Sequence, residues 1–209
     1  MLKTFQAQEI AKLPKRQRTT FVNHLSGFKS ANLVGSISAE GQENLAIFSS
    51  AVHLGANPPL IGLISRPFTA EVIRHSLRNI REQKYFSLNQ VHQGIYEQAH
   101  HSSARYPDGV SEFEATGLHP QYIADFPAPF VQEAQLKIGL RLEEEIPIIK
   151  NGTYLIVAAI EYVELPQAAF DEETGQIDLE KMQAVCISGL DSYHKTEQLQ
   201  RLPYAKPKQ

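Results

Sequence analysis

Residues 29–67 read KSANLVGSISAEGQENLAIFSSAVHLGANPPLIGLISRP, and the fold turns on how this stretch is read. It reads as two strands joined by a glycine turn, then a hydroxyl-tipped loop, a Pro-Pro pair and a third strand. In 31–37 (ANLVGSI), Leu33 and Ile37 alternate with Asn32, Val34 and Ser36. Ala39-Glu40-Gly41-Gln42 supplies turn residues, and Leu45-Ala46-Ile47-Phe48 resumes the apolar run. The return strand starts at Asn44 and ends in Ser49-Ser50 rather than in charges. Neutral oxygens and backbone N–H groups at a strand end can hold an anion or a polar heterocycle without a buried counter-charge. A plain surface hairpin can end the same way, so this pattern alone leaves both readings open.

Beyond the third strand (60–65), Arg66-Pro67-Phe68 breaks the run and Thr69 can cap a helix. Val72, Ile73, Ser76, Leu77 and Ile80 then recur at three- and four-residue spacing, with Glu71, Arg74, Arg78 and Arg81 mostly opposite. That spacing predicts an amphipathic helix over roughly 70–83. Residues 85–89 (YFSLN) read as a short strand ending on Asn89, and 92–101 as a second short helix. Residues 102–130, rich in Pro, Gly, Ser and Asp, read as a long excursion, and loops of that length are usually lids, arms or interface elements. Six aromatic residues between 92 and 130 (Tyr96, Tyr106, Phe113, Tyr122, Phe126, Phe130) point to a covered partner or ligand. Two longer strands follow, 135–143 and 153–163, joined through Asn151-Gly152, with Glu143-Glu144-Glu145 read as a solvated turn. A last strand is expected within 177–187, before a polar tail. Strands do not alternate regularly with helices, which argues against a doubly wound parallel sheet and for an antiparallel barrel with helices at its rim.

The chain has 209 residues, enough for one domain with a sizeable core, and a single domain over 1–209 is expected. A net charge of −3 argues against nucleic acid as the main partner. The one basic cluster, Lys12–Arg18 (KLPKRQR), reads as a solvated lead-in to the first strand. Cys186 is the sole cysteine, so neither an internal disulfide nor a thiolate metal cluster can form. No signal-peptide stretch and no apolar run of membrane-spanning length is present, so a soluble cytoplasmic protein without membrane contact is expected.

Several chemistries lack their motifs. There is no G-x-G-x-x-G, no G-x-x-x-x-G-K-[ST], no G-x-S-x-G and no H-E-x-x-H. The eight histidines include no pair at i, i+4, and His100 and His101 are adjacent, a poor arrangement for one metal. What remains is hydroxyl, amide and guanidinium groups at strand ends. Asn44, Ser49, Ser50, Arg66, Ser76 and Asn89 can converge if strands two to four are neighbours and the helix crosses their end. Arg66 would then give a phosphate a bidentate cationic partner.

These residues resemble a known family. Asn44-Leu45-Ala46 with Ser49-Ser50, Asn57-Pro58-Pro59-Leu60, Ser65-Arg66-Pro67, Arg74-His75-Ser76-Leu77-Arg78-Asn79-Ile80 and Phe86-x-x-Asn89 are similar to the flavin reductase-like FMN-binding split-barrel family. Ser111-Glu112-Phe113, Gly117-Leu118 and 131–134 (VQEA) continue the match, which covers roughly 20–165 and leaves 166–209 as an extension. Ser76 stands where many members carry threonine, and Ala158-Ala159 where glycine-containing pairs are common. The resemblance implies a mainly β fold with peripheral helices, a six-stranded antiparallel Greek-key split barrel, as a homodimer with FMN at its interface. It implies that Asn44, Leu45 and Ala46 flank the isoalloxazine, that Ser49 and Ser50 contact the ribityl-phosphate, and that Ser76 and Arg66 lie near the phosphate. Asn89 would close the site, and Lys29 would stand at its edge.

The activity so implied is an FMN-dependent NAD(P)H:flavin oxidoreductase, in which the flavin does the chemistry and the protein positions it. No catalytic side chain and no metal is required. His100, His101, Tyr106 and Phe113 would shape a groove for nicotinamide, or serve purely as dimer contacts. The alternative is an FMN-binding electron-transfer protein that does not use NAD(P)H. The partners expected are a second copy of the chain, NAD(P)H, and flavin or another electron acceptor.

Overall fold

The structure is a computed structural model that describes residues 1–69, 74–107 and 109–207. Two short helices open the chain, α1 (Ala7–Lys12) and α2 (Lys15–Leu25), neither with a buried residue. Then come β1 (Lys29–Ser30), β2 (Asn32–Ile37), β3 (Glu43–Phe48), β4 (Val52–Ala56) and β5 (Pro59–Ser65). The helix α3 (His75–Gln83) leads into β6 (Tyr85–Gln90), α4 (Tyr96–His101), α5 (Glu112–Thr116), β7 (Pro120–Gln121) and β8 (Phe130–Val131). Two long strands, β9 (Lys137–Ile148) and β10 (Thr153–Glu164), precede β11 (Val185–Ser188) and β12 (Ser192–Lys195). The part of the predicted 70–83 helix over 70–73, with Val72 and Ile73, lies outside the described residues.

Seven strands form the main sheet, in the order β3-β2-β6-β9-β10-β5-β4, and every pairing is antiparallel. The fold is thus mainly β with few helices, with seven strands where six are expected. The additional one is β4, read in the sequence as loop. Val52, His53 and Leu54 are all exposed there, so no inside–outside alternation marks an edge strand that pairs only with β5. β3 and β4 are the two edges of the sheet, yet residues 49–51 alone separate them in the chain. The sheet curls until its edges approach, and the helix α3 places Leu77 and Ile80 among the barrel residues Val34, Leu63, Phe86, Leu140 and Ile156.

β2 is buried on both faces. Val34 points into the barrel, while Leu33 joins Leu45, Phe113, Leu118, Val131, Val185 and Ile187 in a second apolar cluster outside it. That outer layer seats the excursion. Gly35, Ser87 and Gly139 are register partners across β2, β6 and β9 and form a row with little side-chain bulk. A Cβ on Gly35 would collide with the Pro129 carbonyl, and one on Gly139 would come within 2.7 Å of the Phe126 ring. Ser87 Oγ donates to Pro129 O at 2.5 Å. Residues 126–130 therefore lie directly on the sheet, with Phe126 and Phe130 buried. Phe113, Phe126 and Phe130 belong to this chain's own core, which corrects the reading of the segment's aromatic residues as cover for a partner.

Two further expectations are corrected. Glu143-Glu144-Glu145 is not a turn but part of β9, because cations meet it: Arg141 pairs with Glu143 at 2.7 Å, and Arg81 forks onto Glu145 at 2.7 and 2.5 Å. Pro147 is tolerated in that strand because β6 pairs with β9 only over 137–141, leaving one side open. The C-terminal strand begins at Val185 rather than near 177, and part of the polar tail forms β12. β11 and β12 join β1 in a three-stranded sheet.

Candidate functional site

The N-terminus of α3 meets the start of β3 in a buried cluster of neutral polar groups. Asn44 Nδ2 donates to Ser76 Oγ at 2.9 Å and to Ser36 Oγ at 3.3 Å. Asn79 Nδ2 donates to Ser36 Oγ at 3.2 Å. Asn44 and Ser76, two of the residues expected to converge, are in direct contact.

Above this cluster stands positive charge. Arg74 occupies the N-cap position of α3, and its own side chain does not cap the helix. A helix N-terminus and its dipole favour an anion. The Arg74 Nε is enclosed and has no hydrogen-bond partner among the described residues. Burial, first, and then the charges of Arg66 and Arg105 hold the Arg74 guanidinium below its ordinary pKa. Arg66, after β5, and Arg105, after α4, thus lie near enough to Arg74, before α3, for their charges to act on it. None of the three is in an ion pair among the described residues. An arrangement of cations around an enclosed N–H is chemically suited to a phosphate.

Arg74 and Arg105 were not among the expected site residues. Arg74 lies opposite the apolar stripe of its helix, where a guanidinium normally meets solvent. Its place two residues before Ser76 was the available signal. Nothing local in the sequence marks Arg105.

The remaining expected residues divide by what their polar atoms already do. Ser50 Oγ both accepts the Ile64 N–H and donates to the Ile64 carbonyl, each at 3.1 Å, stapling the edge-to-edge link to β5. Asn89 is fully buried: its Nδ2 donates to Leu33 O at 3.1 Å and Ser87 Oγ at 2.8 Å, and its Oδ1 accepts Val131 N–H at 3.0 Å. It clamps β8 onto β2 and β6 and leaves no open donor for a ligand. Lys29 Nζ reaches Asn23 O at 2.8 Å and Gly189 O at 3.2 Å, fixing the end of α2 to the β11–β12 turn. Leu45 is buried, and its N–H on the edge of β3 donates to Glu112 Oε2 at 3.1 Å. Ala46 and Ser49 are half-buried.

Of the four groove candidates, Phe113 is 2% exposed and therefore core, not groove wall. His100 Nδ1 lies 3.2 Å from the Tyr193 hydroxyl of β12. Burial, with Asp191 nearby, pushes that phenol up to about 12, so it stays a neutral donor. His101 is exposed, and Tyr106 OH donates to the His101 carbonyl at 3.2 Å. Among the described residues no group of three or more His, Cys, Asp or Glu side chains could hold a metal ion. No described helix is long and apolar enough to cross a membrane.

Comparison with known proteins agrees with this architecture. The profile of the flavin reductase like domain matches residues 28–179. A candidate flavin reductase with a split barrel domain from Shewanella frigidimarina NCIMB 400 is 47% identical, covers 97% of this chain and 100% of its own, and superposes with a TM-score of 0.92. The 2-nitrobenzoate 2-nitroreductase NbaA of Pseudomonas fluorescens shares the fold at 22% identity and a TM-score of 0.83, over 99% of both chains. An uncharacterized protein of Aquifex aeolicus (strain VF5) is 26% identical over 115 residues, 55% of this chain and 59% of that protein, so less than two thirds of that relative is spanned. A matched domain from 28 to 179, on a curled antiparallel sheet, makes this chain a member of the flavin reductase-like family.

Proposed function

We propose that the chain is an FMN-binding flavoprotein that acts as an NAD(P)H:flavin oxidoreductase. The observation that carries this reading is the enclosed Arg74 Nε at the start of α3, with Arg66 and Arg105 near enough for their charges to act on it, beside the Asn44–Ser76 contact. A phosphate monoester carries close to two negative charges and fits that donor set. Arg66 and Arg74 would hold the phosphate, with the Ser76 hydroxyl completing its shell. Asn44, braced by Ser36 and Ser76, keeps the start of β3 rigid, so that Leu45 and Ala46 present a fixed strand edge to the ring. A flavin held there would supply two-electron chemistry between a nicotinamide and an electron acceptor. The chain's own task is positioning, since misplacement of a hydride donor by about 1 Å can cost on the order of a hundredfold.

A homodimer belongs to this reading. Val52 and Leu54 are exposed on β4 and converge with Leu155 over Gly62, and Ile146 stands opposite Leu155 on β9. That apolar face suits a second copy of the chain.

The second reading, an FMN-binding electron-transfer protein without NAD(P)H, draws on one observation. Phe113 is core and His100 is tied to Tyr193, so two of four expected groove residues are engaged elsewhere. The experiment that separates the two is anaerobic addition of NADH or NADPH to the FMN-loaded protein. A reductase bleaches the flavin absorbance within its turnover time, and light scattering gives about twice the 23.4 kDa chain mass. FMN that stays oxidised with both nucleotides but bleaches with a chemical reductant leaves the electron-transfer reading.

A further inference from the structure

The first 28 residues carry Lys3, Lys12, Lys15, Arg16 and Arg18 against the single acid Glu9, in a chain that is acidic overall. They fold as α1 and α2, ahead of the region that matches the family. The two helices hold each other: Arg18 Nη1 donates to Ala11 O at 2.7 Å, and the Phe5 and Phe21 rings meet with centroids 4.9 Å apart. Their link to the barrel lies at the root, where Lys29 Nζ donates to Asn23 O at 2.8 Å and the His24 ring lies against Gly189. Beyond that root the arm is bare. Neither helix buries a residue, and Val22, Leu25 and Phe28 are exposed. Lys15, Val22 and Leu25 share one face of α2 by their spacing. Helices this short are marginal in water unless an apolar face is covered.

The same chain carries the complement. Residues 171–180 (DEETGQIDLE) hold five carboxylates and no cation, and all are exposed. Asp171 Oδ1 accepts the N–H groups of Glu173 and Thr174, and Asp178 Oδ1 those of Glu180 and Lys181, so these two shape the turns. The Glu172 and Glu173 carboxylates are left outward, with no ion pair among the described residues. Beside them Phe170 and Ile177 face each other across an antiparallel bridge, and both are exposed, as is Leu179.

We propose that two copies of the chain clasp each other, the α1–α2 arm of each lying on the 170–180 loop of the other. Lys12 and Lys15 then meet Glu172 and Glu173, and Val22 and Leu25 meet Phe170, Ile177 and Leu179. Basic and apolar groups on the arm answer acidic and apolar groups on the loop, which favours this pairing over a wrong partner. Under a two-fold axis the contact closes on itself, so both arms and both loops are used. The chain's own tail suits the arm poorly, because Arg201 and Lys206 repeat the arm's sign. That two copies pair at all rests on the homodimer reading above; the course of the arm does not follow from it.

Sedimentation equilibrium of the full chain tests the contact through a charge swap. The dimer dissociation constant is measured for wild type, for Lys12→Glu with Lys15→Glu, for Glu172→Lys with Glu173→Lys, and for the chain carrying all four changes. Each reversed pair is expected to raise the constant at least about tenfold, since it sets like charges against each other in two contacts per dimer. The four changes together are expected to return it to within about threefold of wild type, because opposite charges face each other again. That recovery also separates a lost contact from a misfolded chain. A dimer indifferent to both reversals, weakening by the arm reversal alone, or a fourfold variant no tighter than either pair overturns the arm contact while leaving the β4 face as the dimer surface. A wild-type chain that stays monomeric at micromolar concentration overturns both.

Discussion

Ser50 and Arg74 illustrate how a hydroxyl and a guanidinium exchange the roles their types imply. A serine at a strand end is a natural phosphate donor, but Ser50 Oγ is bonded on both sides to Ile64. Ser50→Ala strips one N–H and one carbonyl of their partner in a half-buried setting, which costs about 1–3 kcal/mol. Urea unfolding is expected to shift to a lower midpoint by that amount, while FMN affinity stays within about twofold. The reverse outcome, lost affinity with unchanged stability, would return Ser50 to the phosphate. Asn89 is the same case in the core: the sequence shows a donor and an acceptor, but not that β8 and the β2 carbonyl at Leu33 have already taken them. Donor type is legible in a sequence, whereas the state of satisfaction is a property of the packed chain. Asn44 and Ser76 were legible as convergent because they sit at the ends of strongly periodic elements.

The elements were legible where apolar period and burial agree. β2, β3, β5, β6, β10 and the described part of α3 fall where the pattern put them. β4 escaped because an edge strand with exposed Val52 and Leu54 shows no alternation. The outer half of β9 escaped because three consecutive glutamates read as solvated, although Arg141 of the same strand pairs with Glu143 and Arg81 of α3 pairs with Glu145. Arg81 carries the more consequential of these pairs. It forks onto Glu145 and stacks on Tyr154, 4.7 Å from the ring centroid, so it ties α3 to β9 and β10 at once. Its hydrogen bond holds the Glu145 carboxyl below the usual carboxylate range. A carboxylate with a lowered folded-state pKa stabilises above its unfolded pKa, about 4.3, and loses that contribution as pH falls through the folded value. Wild type is therefore expected to exceed Glu145→Gln in stability near neutral pH, with the gap closing as pH falls below about 4. Both side chains are partly exposed, so salt will narrow the gap as well. A gap constant across that pH range contradicts the role given to this pair.

Taken together, the chain is a curled antiparallel sheet whose two edges are linked by residues 49–51, with α3 plugging one end and residues 126–130 laid across a row of small residues. The extension beyond 165 is structural rather than a loose tail: β11 and β12 extend β1, Val185 and Ile187 enter the outer core, and Tyr193 reaches His100. Lys137, buried in β9, is held by Glu164 at 2.8 Å, where the extension departs. This frame brings Arg66 and Arg105 near enough to Arg74, at the start of one helix, for their charges to act on it, and the functional reading depends on that placement. Calorimetric titration of FMN into wild type and Arg74→Ala tests it most directly. Arg74 offers an enclosed Nε and a helix-terminal charge, and charge-assisted hydrogen bonds contribute about 1.5–3 kcal/mol each. The account predicts saturable one-to-one binding per chain in wild type, weakened at least about tenfold in Arg74→Ala with the melting temperature little changed. Equal affinity in the two proteins, or no FMN binding by wild type, would contradict it.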